Sequence, residues 1–374
     1  MIRTLATCAG CAVTVLLSMG TTHATPFKVL YTFTDGNDGG EPLAGVFRDR
    51  AGNLYGTTFL GGTDGSGVVF KVAPDGTETV LHAFARGDGN TFAGTIMDGS
   101  GNLYGTTSYG NKAFKLAPDG TYSVLHQFSG GSDGSFPAAA LILDKSGALY
   151  GTTEDGGDAD CKCGTVFRIA PDGKEKVVYS FKGGNDGVYP DAGLLLKSGE
   201  LYGTTAEGGA NGNGTIFRVS KTGRETILYS FNGVTDGGTP QSSLIMDQAG
   251  NLYGTASGGD ANCGTIYRLA PDGTFTVLYT FAGGTADGCE PLAGLYADAA
   301  GNFYGTTFAG GSAYAGTVYK LAPDGTETVL HALNGSDEGA QPESVLVADK
   351  KGNLYGTAAS GPQYGNGTVF KVKE

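Results

Sequence analysis

Seven acidic residues recur along the 374-residue chain at similar intervals, each followed by glycine: Asp38, Asp88, Asp133, Asp186, Asp236, Asp287 and Glu338. A ring of such carboxylates could hold a cation or the polar groups of a ligand. An acid before glycine also caps its own turn by accepting backbone N–H groups, and a residue kept in every copy is the more readily explained by the copy's own structure. A second acidic group, Asp155, Asp158 and Asp160, sits in the loop 154–163, where oxygen ligands could take a hard cation such as calcium; the spacing fits no standard loop, and a solvated acidic loop is the competing reading. Tyr109 and Lys112 lie in a loop, 108–112, that is shorter than its counterparts and so predicts a notch with exposed binding groups.

The remaining reactive types point elsewhere. His82, His126 and His331 occupy a slot that holds Tyr31, Tyr179, Tyr229 and Tyr279 in other copies, which makes them packing residues. No Ser-His-Asp or Cys-His arrangement stands apart from the repeat, so no catalytic residue is assigned. Repeated Tyr and Phe could stack on sugars, but most fall inside apolar runs, and Trp is absent.

These residues are positioned by a repeat. The motif Leu-Tyr-Gly-Thr, with Phe303 for Leu in the sixth copy, places its tyrosine at Tyr55, Tyr104, Tyr150, Tyr202, Tyr253, Tyr304 and Tyr355, at intervals of 46 to 52 residues. Seven units of that length signal a propeller, solenoid or array. Each unit holds four short runs rich in β-branched and aromatic residues, too short for helices: in the fifth, 243–246, 251–256, 264–269 and 276–281. Tight turns of the Asp-x-x-Gly and Ala-Pro-Asp-Gly type join the first run to the second and the third to the fourth. The other two connections are longer and glycine-rich. Strand direction alternates, so both long loops emerge on one face, where function is to be sought.

Ring closure is also legible. The last unit stops after its third run, and the missing fourth, Val-Leu-Tyr-Thr-Phe, stands alone at 29–33. Joining it to the last sheet leaves no exposed sheet edge. The expected fold is an all-β, seven-bladed β-propeller of four-stranded antiparallel blades, as one domain over 25–374. Its closing strand is 27–33 and its blades are 42–84, 91–128, 137–181, 190–231, 240–281, 291–333 and 342–372.

Residues 1–24 read as a secretory leader: Arg3, an apolar run of about 15 residues, then Thr-His-Ala with cleavage near Ala24, too short to span a membrane. A secreted or periplasmic protein is expected, without a membrane span and as a monomer. The net charge of −13 becomes −14 without the leader, which speaks against nucleic acid as a partner. Four further cysteines in an exported chain suggest disulfides. Four allow three connectivities. On the blade plan Cys263 and Cys289 meet at one junction, and Cys161 and Cys163 form a local pair two blades away.

The stretch 201–217, Leu-Tyr-Gly-Thr-Thr-Ala-Glu-Gly-Gly-Ala-Asn-Gly-Asn-Gly-Thr-Ile-Phe, resembles the bacterial GloVer (Gloeo/Verruco) tandem-repeat proteins over nearly the whole chain after the leader. The resemblance implies a secreted or surface protein whose anchor varies between members, and it brings no catalytic residues. The blade rhythm is also similar to that of NHL-type propellers. Besides a purely structural role in the envelope, two functions remain open. One is a binding or interaction scaffold for an extracellular glycan, peptide or protein. The other is a propeller lyase or hydrolase with a cation at the channel mouth, similar in architecture to the streptogramin lyases and lactonases. The absence of a catalytic set outside the repeat favours binding.

Overall fold

A computed structural model describes residues 27–258, 263–360 and 366–374. The leader assigned to 1–24, and the loop residues 259–262, lie outside them. The described residues form seven four-stranded antiparallel sheets and no helix, so none contains a helix long and apolar enough to cross a membrane. The first blade runs Phe47–Arg48, Leu54–Thr57, Val68–Val72, Glu78–Ala83, and the next five follow in the same order. The seventh takes Val347–Ala348, Asn353–Ala358 and Thr368–Lys373 from the end of the chain, and Phe27–Thr32 from its start. That pairing runs from Phe27 opposite Val372 to Thr32 opposite Thr368. The expected closure is therefore present: the last blade has four strands like the others, with Phe27–Thr32 as its outermost.

Each residue of the Leu-Tyr-Gly-Thr motif has its own task. The leucine, such as Leu54, Leu201 or Leu354, is buried in the core. In six blades the tyrosine hydroxyl donates to the aspartate of the first tight turn, as Tyr253 does to Asp247 at 3.0 Å and Tyr355 to Asp349 at 3.0 Å; the fourth blade, with Tyr202, has no aspartate in that turn. The glycine is needed for space: a Cβ on Gly56 would stand 2.5 Å from the Phe70 ring, and one on Gly254 2.5 Å from the Tyr267 hydroxyl. An aromatic ring from the third strand thus lies directly on the second.

The threonine joins blades. Thr57 Oγ1 donates to the Ala93 carbonyl of the next blade at 2.7 Å, and Thr255 Oγ1 to Ala293 at 2.9 Å. Thr357 Oγ1 closes the circle on Ala44 at 2.8 Å. Seven such bonds run around the ring. Every third-to-fourth strand pair also carries a register shift, including the closing pair between Val29 and Tyr31. Such a bulge increases local twist and lets the outer strand lean across its neighbour.

The innermost strands are shorter than the sequence suggests. The run 243–246 yields only Ile245–Met246 as strand, and its counterparts are similarly brief. The residues before them spend their carbonyls on the threonines of the preceding blade, so the ladder starts late.

Candidate functional site

The segments that precede these short strands converge on the axis. A cavity of about 300 Å3 is lined by one such segment from each blade, among them Ala44–Gly45, Ala93–Gly94 and Ala293–Gly294. Small residues pinch its waist: a Cβ on Gly45 would lie 2.6 Å from the Val345 carbonyl. Toward the long-loop face the channel opens into a mouth of about 350 Å3. Its rim has seven equivalent positions, each directly after the repeated Pro (Thr in the second unit): Leu43, Phe92, Ala138, Asp191, Gln241, Leu292 and Glu343.

The backbone aims these residues inward by an uncommon device. The residue before each Pro or Thr has a left-handed φ of 51 to 59°: Glu41, Asn90, Phe136, Tyr189, Thr239, Glu290 and Gln341. None is glycine, and such non-glycine positions cost about 1–3 kcal/mol each unless the surroundings hold them. Here they are held by their own amides and carbonyls. Glu290 N donates to Cys263 O at 2.7 Å, and Glu290 O accepts from Phe308 N at 2.9 Å. Phe136 O likewise accepts from Glu154 N at 3.0 Å, which brings Glu154 to the mouth beside Phe136.

The mouth combines carboxyl groups with aromatic rings. Glu154, Asp191 and Glu343 line it from the third, fourth and seventh blades, and none of its described lining residues is Lys, Arg or His. Burial pushes Asp191 up to about 6, against the lowering effect of Gln241, whose Nε2 donates to Oδ2 at 2.9 Å. Asp191 Oδ1 is buried and has no partner. Burial also pushes Glu154 up to about 7, with added repulsion from Asp191 and Asp155, and Glu343 up to about 7, with repulsion from Glu41.

The aromatic rings lining the mouth come from the second and third blades. Phe92 and Phe136 line the mouth with ring centroids 5.9 Å apart. Tyr109 stands edge-on to Phe136 at 5.3 Å, and Phe59 lies 4.9 Å from Phe92. Tyr109 is 58% exposed and Phe92 37%. The cluster sits where the second blade's loop is short, and Asn111 Oδ1 there accepts from Phe136 N at 2.6 Å. Tyr109 therefore belongs to the same surface as the mouth. Lys112 is tied to Asp88 in an ion pair.

The seven repeated acids stand elsewhere on the loops. Asp38 accepts from the Tyr31 hydroxyl at 2.8 Å and from Thr34 N at 2.9 Å, and Asp186 accepts from Tyr179 and Lys182 N. Asp236 and Asp287 repeat the pattern with Tyr229 and Tyr279. In Asp133 and Glu338 the partner is His126 or His331. All three histidines lie on outer strands. None of the seven acids lines the channel cavities. The group Asp155, Asp158 and Asp160 does not converge either: Asp158 Oδ1 accepts from Asp160 N at 3.0 Å and from Cys161 N at 3.3 Å. Among the described residues no three His, Cys, Asp or Glu side chains form a metal-holding group. Cys263 pairs with Cys289 and Cys161 with Cys163.

Sequence reasoning passed over the rim itself. Its signal was available: the residue after each repeated Pro or Thr changes in kind from unit to unit, whereas the positions that build the blade do not.

Fold and site together define a closed seven-bladed repeat propeller with a polar and aromatic channel mouth. The chain belongs to the Gloeobacter/Verrucomicrobia repeat family, whose model matches residues 16–113, 110–296 and 255–374. No curated protein matches it in sequence. In fold it is similar to virginiamycin B lyase from Staphylococcus aureus, at 16% identity, TM-score 0.64, over 93% of this chain and 100% of the other. A streptogramin B lyase aligns at 18% identity, TM-score 0.62, over 93% and 97% of the two chains. The extracellular domain of the hybrid two-component system BT4673 from B. thetaiotaomicron aligns at 11% identity, TM-score 0.58, over 92% of this chain and 39% of that one. At such identities the likeness is one of fold.

Proposed function

We propose that this chain is an exported binding propeller that takes its ligand on the long-loop face, over the channel mouth. The observation that carries the reading is the rim. Seven structurally equivalent positions hold Leu43, Phe92, Ala138, Asp191, Gln241, Leu292 and Glu343, which differ in size, polarity and charge. A repeat fold needs no such variety there, and a site for one ligand does. The exposed rings of Tyr109 and Phe92 extend that site outward, as aromatic anchors do at binding surfaces. His82, His126 and His331 lie on outer strands, away from the mouth, whose described residues offer carboxyl, amide and aromatic groups for recognition. Export is supported by the leader-like start, by the two disulfides, and by the extracellular placement named for one structure of similar fold.

The test is a glycan and peptide array probed with the purified mature chain, a Phe92→Ala/Tyr109→Ala variant and a Tyr314→Ala control. Tyr314 is 65% exposed and lies outside the aromatic cluster. The expected result is binding that the double variant loses and the control keeps. Binding that survives in the double variant, or no binding by the mature chain, would overturn the reading.

A further inference from the structure

We infer that the channel mouth is built for an organic cation: an ammonium or guanidinium group carried on an aromatic or aliphatic body. This deepens the binding reading above and rests on it.

The carboxyl groups supply the motive. Glu154, Asp191 and Glu343 line one mouth, and none of its described lining residues is basic. Asp191 is satisfied on one oxygen alone; its Oδ1 is buried without a donor. A buried acceptor in that state is costly, and in a native protein it calls for a partner supplied from outside. The raised pKa values of Asp191, Glu154 and Glu343 report the same condition: burial opposes ionisation of all three, with repulsion from Asp191 and Asp155 added at Glu154 and from Glu41 at Glu343. A bound positive charge removes both difficulties, because it supplies donors and cancels repulsion. A neutral sugar hydroxyl would supply the donor and leave the repulsion.

The aromatic rings select the kind of cation. Phe92 and Phe136 stand in the wall of the same mouth, continued by Tyr109 and Phe59. Ring faces attract a cation and accept an apolar body. A bare metal ion prefers a shell of several oxygen ligands, and rings offer none. The chain's net charge of −13 draws cations toward it from a distance.

The protein lacks Trp, so an indole probe can be read without interference. The experiment titrates the full mature chain with tryptamine, and with indole-3-ethanol and indole-3-acetate as neutral and anionic counterparts of the same ring. Tryptamine is expected to bind at least ~10-fold more tightly than indole-3-ethanol, with indole-3-acetate weakest; a single charge-assisted contact is enough for that ratio. Asp191→Asn should abolish the preference, Glu343→Gln should reduce it, and Tyr314→Ala should leave it unchanged. Thermal unfolding of each variant checks that it is folded. Equal affinity for all three probes, weakened alike by Phe92→Ala, overturns the cation assignment and leaves the mouth as the site. Tryptamine binding unaffected by Phe92→Ala and Tyr109→Ala places the ligand elsewhere and overturns both. Failure of tryptamine to bind the unmodified chain overturns the cation assignment.

Discussion

Tyr267 and Tyr319 each bury a hydroxyl that has no hydrogen-bond partner. The equivalent residue is Phe in the other five blades: Phe70, Phe114, Phe167, Phe217 and Phe370. Desolvating a hydroxyl without a partner costs about 1–3 kcal/mol. Tyr267→Phe and Tyr319→Phe are therefore expected to stabilise the fold by about 1 kcal/mol each, additively, because they sit in different blades. Urea unfolding with an unchanged m-value is the check, and a loss of stability would mean that the hydroxyls are satisfied after all. The glycine beneath the ring makes the converse case. A methyl on Gly254 would meet Tyr267 and Leu244 inside 3.1 Å, so Gly254→Ala should cost about 1–3 kcal/mol by overpacking, whereas the loss of backbone freedom alone would favour it.

At the scale of elements, each outer strand leans on the outer strand of the preceding blade, and its first residue decides how. Phe27, Tyr122 and Phe275 stack on His331, His82 and Tyr229 with ring centroids 4.0 to 4.1 Å apart. In the other four junctions the same position is Glu78, Glu175, Glu225 or Glu327, each with a buried Oε1 that has no partner. Burial raises the pKa of Glu327, and Asp287 next to it raises it further, to about 7. Glu327→Phe replaces that carboxylate with a ring against Tyr279, following the Phe275–Tyr229 pair. It should raise stability at pH 7 by about 1 kcal/mol, measured by denaturant unfolding; destabilisation would mean that the Glu makes a contact the stack cannot replace. This junction shows where the sequence could and could not be read. Strands, tight turns, ring closure and both cysteine pairs follow from local pattern and chain order, because the repeat displays them seven times over. The lean of the outer strand follows from the bulge, between Ile266 and Tyr267 for instance, and no residue type marks that bulge. The rim was hidden for a similar reason. Asp191 and Glu343 reach the mouth because Tyr189 and Gln341 take a left-handed turn before proline, a conformation that glycine would announce and these residues do not.

For the whole molecule these carboxylates set a pH dependence with a definite sign. Burial holds Glu78, Glu225 and Glu327 at about 7, with repulsion from Asp38, Asp186 and Asp287 added, above the ordinary value of 4.5. Glu154 and Glu343 at the mouth behave likewise. Between those two values the folded chain binds more protons than the unfolded chain, so stability is fully present below pH 4.5 and is lost as pH rises through about 7. An opposing set limits the acid side. In Asp49, Asp98, Asp247, Asp298 and Asp349, burial works to raise the pKa. Asparagine side-chain and backbone donors outweigh it and hold these groups below 3.8. Their contribution is lost as pH falls through that lower range. The melting temperature should therefore peak near pH 5 and fall by roughly 5 °C on going to pH 8, where each kcal/mol is worth a few degrees in a chain of this size. The triple variant Glu78→Gln, Glu225→Gln, Glu327→Gln keeps the shape of the protonated side chain at every pH. It should melt at pH 8 close to where the unmodified protein melts at pH 5, with its alkaline slope flattened. A melting maximum at or above pH 7, or a triple variant with an unchanged alkaline slope, would show that these buried carboxyls do not govern the balance.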